Sequence, residues 1–453
     1  MAMRSLWFET ALIDGQWADR VRLEISDGLI STIRADIAAE PGDERHAIGL
    51  PGLPNLHSHA FQRGMAGLAE ARGPAGDDFW SWRDLMYRFL DRLGPDDVEA
   101  IAAQAYAEML EGGFTRVGEF HYLHHDAAGR PYAAPAEMAS RIAAAAETSG
   151  IGLTMLPVFY AHGGFGGTAP GAAQRRFLND VDGYAKLLEE SRAAVSTLPD
   201  AVVGVAPHSL RAVTPEELKA ILLLVGTGPI HIHIAEQRRE VADCLAWSGK
   251  RPVEWLLEAM PVDPRWCLVH ATHMTDAERI ALARSGATAG LCPITEANLG
   301  DGIFPVAAYL AEGGSFGIGT DSNVRIDAAE ELRLLEYGQR LQSEARCVLG
   351  RPERPSVGAS LLVGAVQGGA RALGVEAGIA PGQPADIVSL DPHDPSLIGR
   401  KGDKLLDSWI FASRSGIDCV WRHGLKVVEA GRHIRADEIR QRFTATLARL
   451  LAA

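Results

Sequence analysis

The chain has 453 residues, 44 Lys+Arg against 58 Asp+Glu, and a formal net charge of −14. Hydrophobic residues make up 47 % and charged residues 23 %, the composition of a globular protein long enough to bury a sizeable core. Such an acidic balance excludes nucleic acid or an anionic membrane as the main partner, because both call for a basic face.

The N-terminal region reads as β. Ala11–Ile13, Val21–Ile25 and Leu29–Ile33 are short apolar-alternating runs, and Asp14-Gly15 and Asp27-Gly28 between them are hairpin signals. The pattern returns near the C-terminus in Ala385–Leu390, Cys419–Trp421 and Lys426–Val428, with turns at His423-Gly424 and Ala430-Gly431. Between these ends, eight apolar runs alternate with helical stretches: Ala47–Leu56, Thr115–Phe120, Gly152–Tyr160, Val202–His208, Ile230–Ala235, Cys267–His270, Thr288–Cys292 and Phe316–Gly319. Asp96–Glu111, Pro135–Glu147, Thr214–Leu224 and Thr275–Ser285 are among the helical segments. Near-continuous apolar strands separated by helices imply a parallel sheet, and eight such units predict an α/β protein built on a (β/α)8 TIM barrel. The expected organisation is residues 1–48 and 376–453 forming one small β-sandwich, with a C-terminal helix, around a barrel of residues 49–375. A doubly wound sheet is disfavoured because no GxGxxG follows any of these strands.

The five cysteines, Cys244, Cys267, Cys292, Cys347 and Cys419, form no CxxC pair and no disulfide framework, which suits a reducing cytoplasm. Residues 1–10 lack the apolar core of a signal peptide, and no apolar run reaches the ~18 residues of a membrane span.

Barrel enzymes carry their chemistry at the C-terminal ends of the strands. Here those ends bear His57 and His59, then His231 and His233, then His270, then Asp321. Residues i and i+2 of a strand share a face, so His57 and His59 can grip one ion together. His231 and His233 also share a face, and the narrow barrel leaves only His233, nearer the rim, to reach that ion. A single HxH is an ordinary core feature, but four independent hits at four strand ends are not. Three imidazoles and Asp321 make a site for one divalent ion, zinc by preference, with iron and manganese also suited to it. Such an ion lowers the pKa of its water toward ~7 and supplies hydroxide at neutral pH. Glu236, three residues past His233, is placed to take the water's proton and pass it to a leaving group. His270 is expected to polarise the water or the substrate.

The strings PGLPNLHSHAFQR, HIHIAEQ, LVHATH and GIGTDSN resemble the amidohydrolase superfamily in its mononuclear deaminase branch, and the likeness runs over essentially the whole chain. HSHAFQRGMAGLAE, FWSWRDLMYRF, EFHYLHHD, PHSLRAVTP, HIHIAEQRREVADCLAWSGKRPVEWL and TEANLGDGIFP resemble, within that branch, the family of formiminoglutamate deiminases of histidine degradation. The resemblance implies metal ligands at His57, His59, His233 and Asp321, catalytic roles for Glu236, His270 and Asp321, and a substrate-binding set of Gln62, Arg83, Tyr122, His208 and Arg211. It further implies a small dicarboxylate substrate, hydrolysis to formylglutamate and ammonia, and a homodimer. The pattern departs from the family's at Asp321-Ser322-Asn323, where the family reads Asp-Ser-His; the ligand is unaffected, and a supporting hydrogen bond is expected to differ.

The chemistry asks for such residues. Formiminoglutamate has two carboxylates and a cationic formimino group, and carboxylates favour bidentate guanidinium partners. Two rivals stand beside this reading. One is another aminohydrolase of the branch, acting on a purine or pyrimidine. The other is a catalytically dead scaffold barrel, which predicts broken ligands. The Gly163–Gly167 run lacks the ending of a phosphate-binding loop and reads as a loop near the mouth. His124-His125-Asp126 reads as a helix start, and Glu330–Arg346 as a solvated helical face.

Overall fold

The computed structural model describes residues 4–72, 77–414 and 416–452. Eight parallel strand positions run through the middle of the chain. Barrel strands 1 to 3 are Leu53–Ser58, Phe114–His121 and Gly152–Phe159, and barrel strand 4 is two short pieces, Val202–Val203 and Ala206–Pro207. Barrel strands 5 to 8 are Ile230–Ile234, Trp266–His270, Thr288–Leu291 and Ser315–Ile318. Strands 1 to 4 pair in order, as do strands 5 to 8. Parallel bridges Val205–Ile230 and Ser209–His233 join strand 4 to strand 5, and the bridge Ser58–Asp321 joins strand 8 back to strand 1. The sheet therefore closes into the predicted barrel.

Every residue of strands 1, 2, 3, 5 and 6 is buried, as a sheet covered on both faces requires. The helices outside begin on local capping signals. Thr214 and Thr275 accept from the amides of Glu217 and Glu278, whose carboxylates accept in return from the threonine amides. At the barrel floor, Leu56, Cys267, Val269 and Cys292 pack against Ala372 and Leu373 of the helix Val357–Leu373. Gly319 leaves strand 8 where a Cβ would sit 2.8 Å from the His57 carbonyl oxygen, so only glycine lets the last strand come this close to the first.

Both chain ends join in one eight-stranded sheet. Arg4–Ile13 pairs antiparallel with Gln16–Ser26 and parallel with Glu44–Pro51, which pairs antiparallel with Ile387–Leu390. The two N-terminal hairpin turns are present, with Asp14, Gly15, Asp27 and Gly28 all at positive φ. The sheet curls over itself: Ile30 donates to the Gln383 carbonyl and Ala385 to that of Gly28. A side chain at Gly28 would collide with the His423 ring, so the turns from opposite ends of the chain pack on each other. Leu6, Phe8, Val21, Leu23, Ile387 and Trp421 fill this sheet as a core of its own.

Some expectations change. The run Ala47–Leu56 is two strands: Glu44–Pro51 belongs to the terminal sheet and Leu53–Ser58 to the barrel, broken at Gly52, where Thr115 leaves no room for a side chain. His124-His125-Asp126 is a turn, not a helix start. Asp126 accepts from the amides of Ala128 and Arg130, while His124 and His125 are bonded to the Val158 and Leu178 carbonyls. The helix Ala328–Ser343 is not simply solvated: Glu331 and Glu336 are fully buried and accept from backbone amides, Glu331 from Ile294 and Glu336 from Val348 and Leu349. Gly163–Gly167 forms a tight turn in which Gly164 pairs with Thr168 and Phe165 stacks on Trp247.

A buried ionic cluster ties the sheet to the barrel. Arg422 of the sheet pairs with Asp386 at 3.0 Å and with Asp200, and Asp200 is 2.6 Å from Arg116 of barrel strand 2. Removing one member strands its buried partners. Arg422→Met is expected to lower the unfolding free energy by about 3–5 kcal/mol, read by denaturant titration, with little change in the metal content of the protein that remains folded.

Candidate active site

The closed barrel brings its strand ends to one rim. His57, His59, His233 and Asp321 offer ligand atoms that all lie within 4.8 Å of one another, and all four residues are buried. The Nε2 atom of His57 is 3.2 Å from that of His59 and 3.0 Å from that of His233. Asp321 Oδ1 lies 3.4 and 3.3 Å from His57 and His59 Nε2.

The remaining ring nitrogens explain this convergence. His59 Nδ1 donates to the Phe120 carbonyl at 2.9 Å, and His233 Nδ1 to the His208 carbonyl at 3.1 Å. A carbonyl only accepts, so each neutral ring carries its proton on Nδ1 and turns a bare Nε2 lone pair inward. Burial pushes the pKa values of His57, His59 and His233 down, His57 to about 3, so protons do not neutralise the cluster. Asp321 is held well below the usual carboxylate range: burial opposes this, but the His57 hydrogen bond and the neighbouring imidazoles prevail. Facing lone pairs beside a carboxylate, in a dry site, fit a divalent cation.

His231 takes no part. Its Nε2 bonds the Ala372 carbonyl at 2.6 Å near the barrel floor, so of the two strand-5 histidines only His233 reaches the cluster. Asn323 answers the question raised by its departure from the family pattern. Its Nδ2 donates to Ser58 Oγ and to the carbonyls of His59 and Asp321, each at 3.1 Å, and its Oδ1 accepts from Thr320. It therefore ties strand 8 to strand 1 across the HxH pair.

Glu236 is buried at the rim, and burial pushes its pKa up. His270 presents Nε2 toward Glu236 at 3.9 Å and Asp321 Oδ2 at 3.8 Å, while its Nδ1 is 3.2 Å from Glu296. Burial alone would lower the His270 pKa; the charges of Glu236 and Asp321 and the Glu296 hydrogen bond raise it. The rim backbone is strained: Ala235, His270, Ala271, Asp321 and Asn323 all have positive φ. Strain of this kind persists where surrounding contacts over-determine it, typically at active sites.

A cleft with a cavity volume of about 60 Å³ opens over the cluster. Its wall includes His59, His233, Asp321, Glu236 and His270, together with the whole expected substrate set of Gln62, Arg83, Tyr122, His208 and Arg211. Arg83 is on the helix Phe79–Leu90, which lies between strands 1 and 2, and Arg211 follows strand 4. Gln62 Nε2 donates to the Tyr122 hydroxyl at 3.0 Å. His208 is held neutral by burial, with the nearby Arg211 adding to the effect. The Nε atoms of Arg83 and Arg211 are buried with no hydrogen-bond partner among the described residues. Trp80 stacks against Arg83, whose guanidinium carbon is 4.4 Å from the ring centroid.

Sequence reasoning missed several wall residues. Tyr87 lies one turn beyond Arg83 on the same helix face, a spacing that could have revealed it. Tyr160 and Phe177 had no such signal, because their loops meet only in the folded barrel. Glu296 was also missed, although it lies five residues beyond the end of strand 7 and its carboxylate bonds both His270 and the Cys292 amide.

A closed (β/α)8 barrel, a terminal sheet and this cluster define a class, and residues 48–427 match the profile of the amidohydrolase family. The chain belongs to that family. Residues 3–47 match the formimidoylglutamate deiminase HutF N-terminal domain. The chain is 51 % identical to a formimidoylglutamate deiminase of Pseudomonas aeruginosa, over 99 % of this chain and 100 % of that protein. It is 30 % identical to a 5-methylthioadenosine/S-adenosylhomocysteine deaminase of Nitratidesulfovibrio vulgaris, over 83 % and 80 % of the two chains. Among solved structures, an amidohydrolase from Brucella melitensis superposes with a TM-score of 0.97 at 54 % identity, covering 99 % of this chain and 100 % of that one. Family membership implies a divalent metal, which the cluster fits. Among the described residues no helix is long and apolar enough to cross a membrane.

Elemental analysis is expected to find one divalent ion per chain, reduced to a small fraction in His233→Ala. Stripping the ion with a chelator will lower the thermal midpoint, and one added equivalent will restore it, because an ion bound by the folded state alone stabilises that state.

Proposed function

We propose that this protein hydrolyses N-formimino-L-glutamate to N-formyl-L-glutamate and ammonia, the deimination step of histidine degradation. The carrying observation is the pair of half-buried arginines, Arg83 and Arg211, each with a buried and unpartnered Nε, facing the same cleft as Glu236 and the imidazole cluster. Two cations at one end suit two carboxylates, and the carboxylates at the other end suit a cationic formimino group. The whole-length similarity to a formimidoylglutamate deiminase points to the same substrate.

A divalent ion held by His57, His59, His233 and Asp321 would supply Lewis acidity and a hydroxide-equivalent nucleophile at neutral pH. Zinc is our choice, since three imidazoles and one carboxylate suit it well. Arg83 and Arg211 fix the carboxylates and so set the formimino carbon at the rim. Gln62, Tyr122 and His208 complete the wall and exclude water. Glu236 takes the proton that the attacking water gives up and delivers it to the nitrogen that departs. The terminal C–N bond breaks, the new C=O forms, and ammonia leaves. His270 faces both Glu236 and Asp321 and is placed to donate a hydrogen bond to the reacting group. Asp321, facing His270 through Oδ2, is placed to accept the hydroxyl proton as the carbonyl forms. We place the enzyme in the cytoplasm, because its free cysteines suit a reducing compartment, and as a homodimer, which the family resemblance implies.

The direct test is turnover of formiminoglutamate with product identification. Formylglutamate and ammonia are expected; formamide and glutamate, or turnover of S-adenosylhomocysteine or guanine in place of formiminoglutamate, would overturn the reading. Glu236→Gln should keep its metal and lose about 10²–10⁴-fold in kcat. Arg211→Met should raise KM roughly ten- to a hundredfold at unchanged metal content, since a charged hydrogen-bonded pair is worth about 1.5–3 kcal/mol.

A further inference from the structure

Glu240 is buried one helical turn beyond Glu236 and is used by no step above. Its Oε1 accepts from the amide of Ala235 at 3.3 Å, and its Oε2 from the amide of Glu236 itself at 3.1 Å. Both oxygens thus grip the turn that carries the proton-transfer residue. That turn is strained, since Ala235 has φ +51° and is not glycine. An alanine stays in the left-handed region only where its neighbours hold it there. On the outer side, the Ala235 carbonyl accepts from the His273 amide at 3.0 Å. The turn is therefore pinned from both sides, and Glu240 supplies the only side-chain grip on its two amides among the described residues.

We propose that Glu240 is a positioning residue for this reaction: through its two backbone hydrogen bonds it fixes the turn that carries Glu236 at the reacting centre. The inference rests on the reading of Glu236 as the proton carrier. A misplacement of about 1 Å at such a group can cost on the order of 10²-fold. Glutamine cannot replace the carboxylate, because its amide nitrogen would face one of the two N–H groups.

The test is a kinetic cycle on metal-loaded enzyme with formiminoglutamate, comparing the native protein, Glu240→Gln, Glu236→Gln and the double variant. Glu240→Gln is expected to lose about ten- to a hundredfold in kcat at unchanged metal content. In the Glu236→Gln background the same change is expected to cost less than about twofold, because a residue acting through another has nothing left to act on. A merely structural role would give equal losses in both backgrounds, and that result would overturn the proposal, as would native-like kcat in Glu240→Gln. Glu240→Asp provides a variant that keeps the charge but is too short to hold both amides. It should keep the acid limb of kcat/KM, whereas Glu240→Gln should move that limb to lower pH. The sign follows from the groups facing Glu236: Arg211 and His270 lower its pKa, while Asp321, Glu240 and the nearby Asp301 raise it, so removing one anion eases its ionisation. Absence of formiminoglutamate turnover in the native enzyme would instead overturn the functional reading.

Discussion

The molecule is organised around one electrostatic constraint: three imidazole Nε2 atoms and a carboxylate converge in a buried space. Neutral rings whose Nε2 atoms lie 3.0–3.2 Å apart repel one another unless a cation lies among them. The protein accepts this by fixing the opposite side of the rings. The Phe120 and His208 carbonyls, one on strand 2 and one after strand 4, take the Nδ1 protons of His59 and His233. Barrel closure is thus part of the ion site, because His59 and His233 are each aimed by a carbonyl from a neighbouring strand or the loop after it.

The same logic extends outward along the rim. Glu240, Glu296 and Glu331 lie on the helices that follow strands 5, 7 and 8; Glu240 and Glu296 accept from backbone amides just past strands 5 and 7, and Glu331 from the Ile294 amide in the first turn of the helix after strand 7. Buried carboxylates are costly unless bonded, and here they hold turns in conformations that the chain would otherwise leave. Farther out, the terminal sheet and the Arg422–Asp200–Arg116 cluster anchor the N-terminal half of the barrel. Stability and chemistry are linked through bonds to backbone rather than through the ligands alone.

The overall charge takes on a narrower meaning in this setting. A protein with net charge −14 repels a dicarboxylate at long range. The proposed recognition therefore falls to Arg83 and Arg211, half-buried in the cleft wall, where each Nε is shielded from solvent and Trp80 stacks on Arg83.

By itself the sequence determined the eight barrel strand positions, the two N-terminal hairpin turns and the residues at the strand ends, because apolar runs, Asx-Gly turns and HxH spacing are local signals. It also pointed to five residues of the cleft wall, through long strings shared with a family rather than through physics. Tertiary structure alone decided what depends on meeting across the barrel. The break at Gly52 was hidden, since an apolar run reads the same in a sheet or a barrel. The burial of Glu331 and Glu336 was hidden, since a charge run on a helix normally faces water. The roles of Tyr160, Phe177 and Asn323 were hidden because their partners lie on other strands or loops. Closing the barrel between strands 8 and 1 brings Asn323 within 3.1 Å of Ser58, 265 positions away in the chain, and no local pattern encodes such a contact.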